Sequence, residues 1–396
     1  MHRVVVGLSG GVDSSIAAYI LKKQGFDVLT LFMINWHDTT GLLHGDCPSN
    51  DDLIFAELTA RKLGLPFRVI DLSSEYKKRV VNYLFYEYEN GRTPNPDVLC
   101  NREIKFDAFV NEAMNMGADF VATGHYCRKE SLNQDGKIIY RLLAGKDKNK
   151  DQSYFLCQLS QDQLRPALFP VGDLDKTEVR RIAKEIDLPT AHRKDSQGIC
   201  FVGKVDLPVF LQQKIKPKTG DIIEINPQFI GYNDKIQSRE TYTDEALASL
   251  ASPYYYSSDH GAKIGEHNGA HYYTIGQRKG LNIGGKSEPV FVIATDILNN
   301  IVYTGMGKDH PGLYRPALFI QKDDMHWIRP DMELPYGGSA RFLFRIRYRQ
   351  PLQGGMLFIR EKGTYVVFDN LQRGITPGQF AVWYAGEEVI GSGVIE

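Results

Sequence analysis

The chain has almost no excess of charge of either sign: 47 Lys and Arg against 48 Asp and Glu leave a formal net charge of −1 over 396 residues. Bulk charge therefore does not point to a nucleic-acid partner, which local basic patches would have to meet. Cysteine is scarce as well. The five present, Cys47, Cys100, Cys127, Cys157 and Cys200, are too few and too scattered for a disulfide-built domain, and no C-x-x-C pair occurs. There is no apolar run of about 18 residues to span a membrane. No short apolar stretch with a cleavage pattern precedes the strand-like run that begins at Arg3. The expectation is a cytoplasmic, bacterial rather than organellar chain with no membrane partner, in a reducing compartment where a functional cysteine is catalytic. A repeat of fixed period is also lacking. What remains is ordinary globular composition, 42% hydrophobic and 24% charged, long enough for two or three cores.

Residues 3 to about 125 alternate short apolar runs with helical patterns. RVVVGL precedes a helix from about Asp13 to Gln24, DVLTLFMI one from about Asp51 to Leu63, and PFRVIDL a Tyr-rich helix around Glu75 to Asn90. A helix after Cys100 and ADFVATGH complete the series. This rhythm predicts an α/β fold, with a parallel sheet covered on both faces and ligands at the carboxyl ends of its strands. CRKESLNQDGKIIYRLL reads as a hairpin, and LDKTEVRRIAKEI as a helix with Asp175 and Glu178 at capping-box spacing. From Lys204 to about Glu288 the chain is rich in Gly, Tyr and polar residues, and the stretch from about Asn226 to Gly261, with SPYYYSS, reads as a mobile insertion. From Pro289 onward, runs such as VFVIAT, NIVYTG, SARFLFRIRYRQ and FAVWYAG predict a small all-β barrel or sandwich. Three units are expected: a nucleotide-type domain over 1–203, a small central linker domain over 204–288, and a β-barrel over 289–396.

Directly after the first strand comes GLSGGVDSS, Gly7 to Ser15, running into a helix. Adjacent glycines let the backbone approach a polyphosphate, the serines add hydroxyl donors, and the helix N-terminus faces the anion. The loop lacks the lysine of G-x-x-x-x-G-K-[ST] and does not fit G-x-G-x-x-G. Two cysteines stand on turns elsewhere. In TPNPDVLCNREIKF, two prolines force an irregular approach and the apolar spacing after Cys100 reads as a helix face. Cys100 is expected at or just before a helix N-terminus, where the dipole favours the thiolate. A buried, unreactive cysteine is the competing reading. In DSQGICF, Gly198 gives the backbone room beside Cys200. Two turn-borne thiols and a phosphate loop in one domain point to sulfur chemistry. Adenylation makes a carbonyl oxygen a leaving group, a persulfide on one cysteine attacks the activated carbon, and the other thiol frees the transferred sulfur.

S-G-G-x-D-S resembles the pyrophosphate-loop motif of the ATP pyrophosphatase superfamily, whose members adenylate an oxygen and release pyrophosphate. Together TPNPDVLCNREIKF, GHY, KDQSYFL, DSQGICF, YTIGQRKGL and RYRQ resemble the tRNA-specific 2-thiouridylase family, in order and over most of the chain. The resemblance implies an adenine-nucleotide-alpha-hydrolase-like domain and 2-thiolation of the wobble uridine in tRNAs for Glu, Gln and Lys. It implies that Cys200 bears the persulfide, that Cys100 is its partner nucleophile in a transient disulfide, and that Asp97 is the general acid or base. Asn95, Pro96 and Asp97 would line the pocket of the flipped base. ATP would meet Gly7, Leu8, Ser9, Gly10, Gly11, Val12, Asp13, Ser14 and Ser15, with Met33 and Gly124. Magnesium would come with ATP, Asp13 being the candidate to hold it, and no other metal is expected. Lys150, Asp151 and Gln152, with Arg347 and Tyr348, match the tRNA-contacting segments. The implied partners are tRNA and a persulfide donor such as a cysteine desulfurase or relay protein, and the chain is expected to be a monomer.

The residues of RFLFRIRYR support a tRNA contact independently, since Arg341, Arg345, Arg347 and Arg349 alternate with Phe342, Phe344, Ile346 and Tyr348. A strand there would present a basic comb on one face; an ordinary amphipathic strand with solvated arginines is the bland reading, and Lys146, Lys148 and Lys150 have a similar one. Three cysteines around an iron–sulfur cluster are the sharpest competitor, although Asp97-x-x-Cys100 stands where a C-x-x-C would be needed. His37, His44 and Cys47 fit no common zinc spacing and read as loop residues over the nucleotide. Amide-forming ligation and an RNA-binding module without activity remain as other classes. Cys127 and Cys157 read as packed.

Overall fold

The computed structural model describes residues 1–37, 48–195, 207–235 and 242–396. The valines of β1 (Arg3–Gly7) alternate between two cores: Val4 and Val6 pack with the helices Val12–Lys23 and Pro48–Lys62, whereas Val5 faces the opposite layer. With β2 (Asp27–Ile34), β3 (Phe67–Asp71), β4 (Phe120–Ala122) and the short β7 (Ala167–Leu168), β1 forms a parallel sheet in the order β3-β2-β1-β4-β7. The expected doubly covered sheet is present. The order reverses between β1 and β4, so a crevice opens outside their carboxyl ends.

Behind the sheet lie the helical stretches 73–89 and 96–115, each containing π-helical turns. Asn95 caps the second, accepting from the Val98 N–H at 3.4 Å, and Pro96 occupies the first turn, where its missing N–H costs nothing. This corrects the expected helix start. Cys100 lies a full turn inside the helix and is completely buried, because Pro96 begins the helix rather than delaying it. Asp175 does start the helix Lys176–Glu185, but it makes no side-chain cap; Glu178 is drawn instead to Arg181.

The predicted hairpin, β5 (Cys127–Gln134) and β6 (Lys137–Ala144), turns on Asp135 and Gly136, both at positive φ. Its second strand pairs with the last strand of the chain, linking the first unit to the third. A middle sheet runs β10-β11-β8-β9, from β8 (Gly220–Ile225), β9 (Gly261–His267), β10 (Val290–Asp296) and β11 (Ile301–Met306). VFVIAT and NIVYTG therefore belong to the middle unit, and a boundary at 288/289 would fall immediately before two of its four strands. Strand periodicity does not say which sheet a strand joins. The barrel proper is β12 (Tyr314–Trp327), β13 (Ser339–Arg345), β14 (Gln353–Arg360), β15 (Gly363–Arg373), β16 (Phe380–Ala385) and β17 (Glu388–Ile395). It closes by pairing β12 with β17.

The described part of the supposed insertion is folded. The helix Asp244–Ala251 lays Leu247 and Ala251 on the barrel, and Tyr232 and Tyr256 pack in a buried cluster with Phe229 beside them. Its low aliphatic content hid a core built of tyrosines. Among the described residues no helix is long and apolar enough to cross a membrane.

Candidate active site at the carboxyl ends of the parallel strands

β1 ends where the Leu8 N–H donates to the Leu31 carbonyl at 2.9 Å. The chain then turns through Gly10, at φ +72°, into the helix Val12–Lys23, whose N-cap Gly11 offers no side-chain cap. The first-turn amides and the positive end of the dipole are thus directed to the crevice. Serine hydroxyls fix the loop from within. Ser14 accepts from the Ser9 N–H at 3.1 Å, Ser14 and Ser15 both donate to the Gly11 carbonyl, and Thr190 donates to Ser15 at 3.0 Å. Arg193 donates to the Gly10 carbonyl at 2.9 Å and pairs with Asp52 at 2.8 Å. Gly124 closes the other side, since a Cβ there would lie 2.6 Å from the Ser14 nitrogen.

Past Leu8 only β3 accompanies β2, up to the Ile34 and Asp71 pair. Backbone groups of alternate residues face alternate neighbours, Leu31 toward β1 and Ile34 toward β3. The Met33 N–H and C=O therefore face the space beside the phosphate loop. A donor and an acceptor one residue wide suit the edge of a base.

Sequence reasoning missed the residue that dominates the electrostatics. Lys176 Nζ lies 2.7 and 2.8 Å from the two Asp13 carboxylate oxygens and 2.8 Å from Asp195. Tyr126 donates to Asp13 at 2.7 Å, Arg180 pairs with Asp195 at 2.9 Å, and Lys150 also bonds Asp195. Burial raises the Asp195 pKa, but hydrogen bonds from Lys150 and Lys176 bring it down to about 2. Burial and the neighbouring Asp13 push the Tyr126 phenol up. The loop itself holds no lysine; Lys176 reaches Asp13 from 163 residues later in the chain. One signal was available: a lysine in a helix's first turn opposes the dipole and needs an acidic partner.

The segment leading to Asn95 is held by all three units. Thr93 donates its N–H to the Pro377 carbonyl at 2.9 Å and bonds the Thr274 hydroxyl at 3.0 Å, and Gln379 donates to the Thr93 and Pro94 carbonyls at 2.8 and 3.2 Å. Asp97 is half-buried in the first turn, and Cys100 lies among Val98, Leu99 and Ile104 in the large core. Cys200 lies outside the described residues, so its distance from Cys100 is not on view. Asp195, before that segment, sits at the phosphate loop. Phe210, after it, stacks on Phe85 in the same core as Cys100.

Of the tRNA-contact candidates, Asp151 is buried, accepting from the Gly145 and Ser153 N–H groups at 3.1 Å and pairing with Arg345 at 2.7 Å. Gln152 accepts from the Tyr126 N–H at 3.0 Å. The basic comb is corrected: β13 ends at Arg345, Arg341 pairs with Asp369, and Arg347 turns inward to the Gly374 and Ile275 carbonyls. Only Phe342, Phe344 and Ile346 follow the predicted burial. Tyr348 lies 4.3 Å from the Phe155 ring, centroid to centroid. Burial and nearby Lys105 hold His125 neutral, its pKa well below the usual value. Burial pushes the thiols of Cys127 and Cys157 upward, the latter to about 12, as packed cysteines should be. His37 bonds Asp71 at 2.9 Å, while His44 and Cys47 lie outside the described residues. No group of three or more metal-ligating side chains occurs among the described residues.

Three family models match the chain. "tRNA methyl transferase HUP domain" covers residues 2–204, "tRNA methyl transferase PRC-barrel domain" 251–306, and "Aminomethyltransferase beta-barrel domain" 319–395. Among curated proteins, "tRNA-specific 2-thiouridylase MnmA" of Christiangramia forsetii is 55% identical over 395 residues, covering 100% of both chains. Its namesake in Flavobacterium johnsoniae is also 55% identical with the same coverage. That of Karelsulcia muelleri is 45% identical, over 99% of this chain and 98% of its own.

Proposed function

The chain belongs to the tRNA-specific 2-thiouridylase family, and from that premise we propose that it uses ATP to replace O2 of the wobble uracil by sulfur in tRNAs for Glu, Gln and Lys. The observation that carries the ATP step is the uncapped helix start after β1 together with Lys176 on Asp13. The methyltransferase wording of the family models gives that phosphate cradle no task.

ATP lies with its phosphates on the Ser9 to Ser15 amides and its base edge on the Met33 backbone. Lys176 neutralises phosphate charge as it leaves Asp13. Asp13, a carboxylate beside the phosphates, is the residue that would hold magnesium, which supplies charge neutralisation when bound. The uracil, flipped between Asn95 and Asp97, attacks the α-phosphorus through O2; the bond to pyrophosphate breaks, and Asp97 takes the N3 proton and returns it as C2 gains sulfur. The outer sulfur of a Cys200 persulfide then bonds to C2. Cys100 thiolate attacks Cys200 Sγ, the sulfur–sulfur bond breaks toward the transferred sulfur, and AMP departs with the former O2. A Cys100–Cys200 disulfide remains and is reduced by an external thiol.

Chain length tethers Cys200 to the phosphate loop. Cys200 follows Asp195 by five residues, a reach of at most about 18 Å, and Asp195 is fixed at the phosphate loop. Lys150 and Tyr348 serve tRNA contact, Arg347 bracing the turn behind them through the Gly374 and Ile275 carbonyls, with a cysteine desulfurase or relay protein as donor and a cytoplasmic monomer as the working form. Incubation with ATP, magnesium, tRNA and a persulfide donor, a cysteine desulfurase with cysteine, tests the reading. Thiouridine with AMP release supports it; AMP without thiolation favours a ligase, and neither product an inactive RNA-binding module. Cys200→Ser should abolish thiolation and leave tRNA affinity intact; normal rates with a persulfide donor would overturn its role.

A further inference from the structure

Where the three units meet there is a cavity of about 200 Å³, remote in sequence from the phosphate loop. Thr93 lines it from the first unit, Tyr254, Tyr273 and Thr295 from the middle one, and Arg315 and Thr376 from the barrel. Arg315 is the only charged residue in this lining, and no Asp or Glu faces it there. Its residue exposure is 7%. One guanidinium nitrogen, Nη1, donates to the Ala251 carbonyl at 3.2 Å, at the end of the helix Asp244–Ala251. The other, Nη2, is buried without a partner. Elsewhere among the described residues, Arg329 has Asp331 and Glu388 and Arg345 has Asp151, whereas Arg347 is met by carbonyls and the Thr376 hydroxyl.

An uncompensated buried guanidinium is costly, and a counter-anion relieves that cost. A helix carbonyl supplies only part of it. Burial lowers the Arg315 pKa to about 10. The space is smaller than a drug-sized pocket, and its tyrosine and aliphatic walls suit one ring. We propose that this cavity binds a small organic anion, a carboxylate or phosphate monoester on a ring-sized apolar body, with Arg315 taking the charge and the Thr295 side chain facing its polar edge. Its occupant would touch Thr93, two residues before Asn95.

Calorimetric titration of the full chain with benzoate and with phenyl phosphate tests this, the two probes separating carboxylate from phosphate. At least one should bind saturably. Its affinity should fall roughly 10- to 100-fold in Arg315→Met, the worth of a charge-assisted hydrogen bond. Binding should vanish in Ala294→Leu, which fills the cavity and keeps the arginine. If Arg315→Met does not fold, Ala294→Leu alone decides. Absence of saturable binding by either probe at millimolar concentration, or affinity that survives in either folded variant, overturns the proposal.

Discussion

At the scale of single residues, the account turns on Lys176. Its ammonium sits between Asp13 and Asp195, so removing it leaves Asp13 facing a phosphate site without its cation, while Asp195 keeps Lys150 and Arg180. Lys176→Met should lower AMP formation about 100-fold while tRNA affinity stays unchanged; Lys176→Arg should recover part of the rate. AMP release and filter binding read the two quantities separately. Asp195 carries a pH prediction. Its folded-state pKa, about 2, lies below the ordinary 3.8, so its stabilisation is complete above the unfolded value and is lost as pH falls through the interval between them. The difference in thermal midpoint between the native chain and Asp195→Asn should be constant above about pH 5 and shrink from about pH 4 downward. Residue types with a short-range motif, such as Ser9 to Ser15, were legible in the sequence. Lys176 was not, because its partner is 163 positions away.

Among the elements, the strand-to-helix turn after β1 was read closely from sequence, the helix starting one residue before the expected Asp13. Periodicity over twelve residues fixes a helix better than its ends. The helix carrying Cys100 shows the limit: Pro96 reads as a breaker but is accommodated in a first turn that Asn95 caps. Gly124 shows another, because only the tertiary approach of the helix Val12–Lys23 reveals why that position lacks a Cβ. Gly124→Ala should destabilise the fold by about 1–3 kcal/mol, read by urea unfolding, and weaken ATP binding through displacement of Ser14. An unchanged midpoint would mean the turn has room the structure does not show. Strand identity was legible and strand partnership was not, which is why β10 and β11 changed units.

The whole molecule is joined by buried polar links that no local pattern announces. Arg345 on the barrel reaches Asp151, whose side chain is 2% exposed, and β6 adds its edge to β17. Arg345→Met would strand the Asp151 carboxylate with only two backbone donors, Gly145 and Ser153. A loss of about 3–5 kcal/mol is expected, with the first unit and the barrel still melting in one calorimetric transition through the β6–β17 pairing; separate transitions in the variant would show that the Arg345–Asp151 contact alone couples them. Such coupling would set the barrel in fixed relation to the phosphate loop and to the segment at Asn95. The central claim is that the uracil oxygen itself attacks ATP. It is tested most directly with tRNA carrying heavy oxygen at O2 of the wobble uracil, in a single turnover with ATP and a persulfide donor. The account predicts one heavy atom in AMP for each thiouridine formed. Thiouridine appearing while AMP stays unlabelled would contradict it.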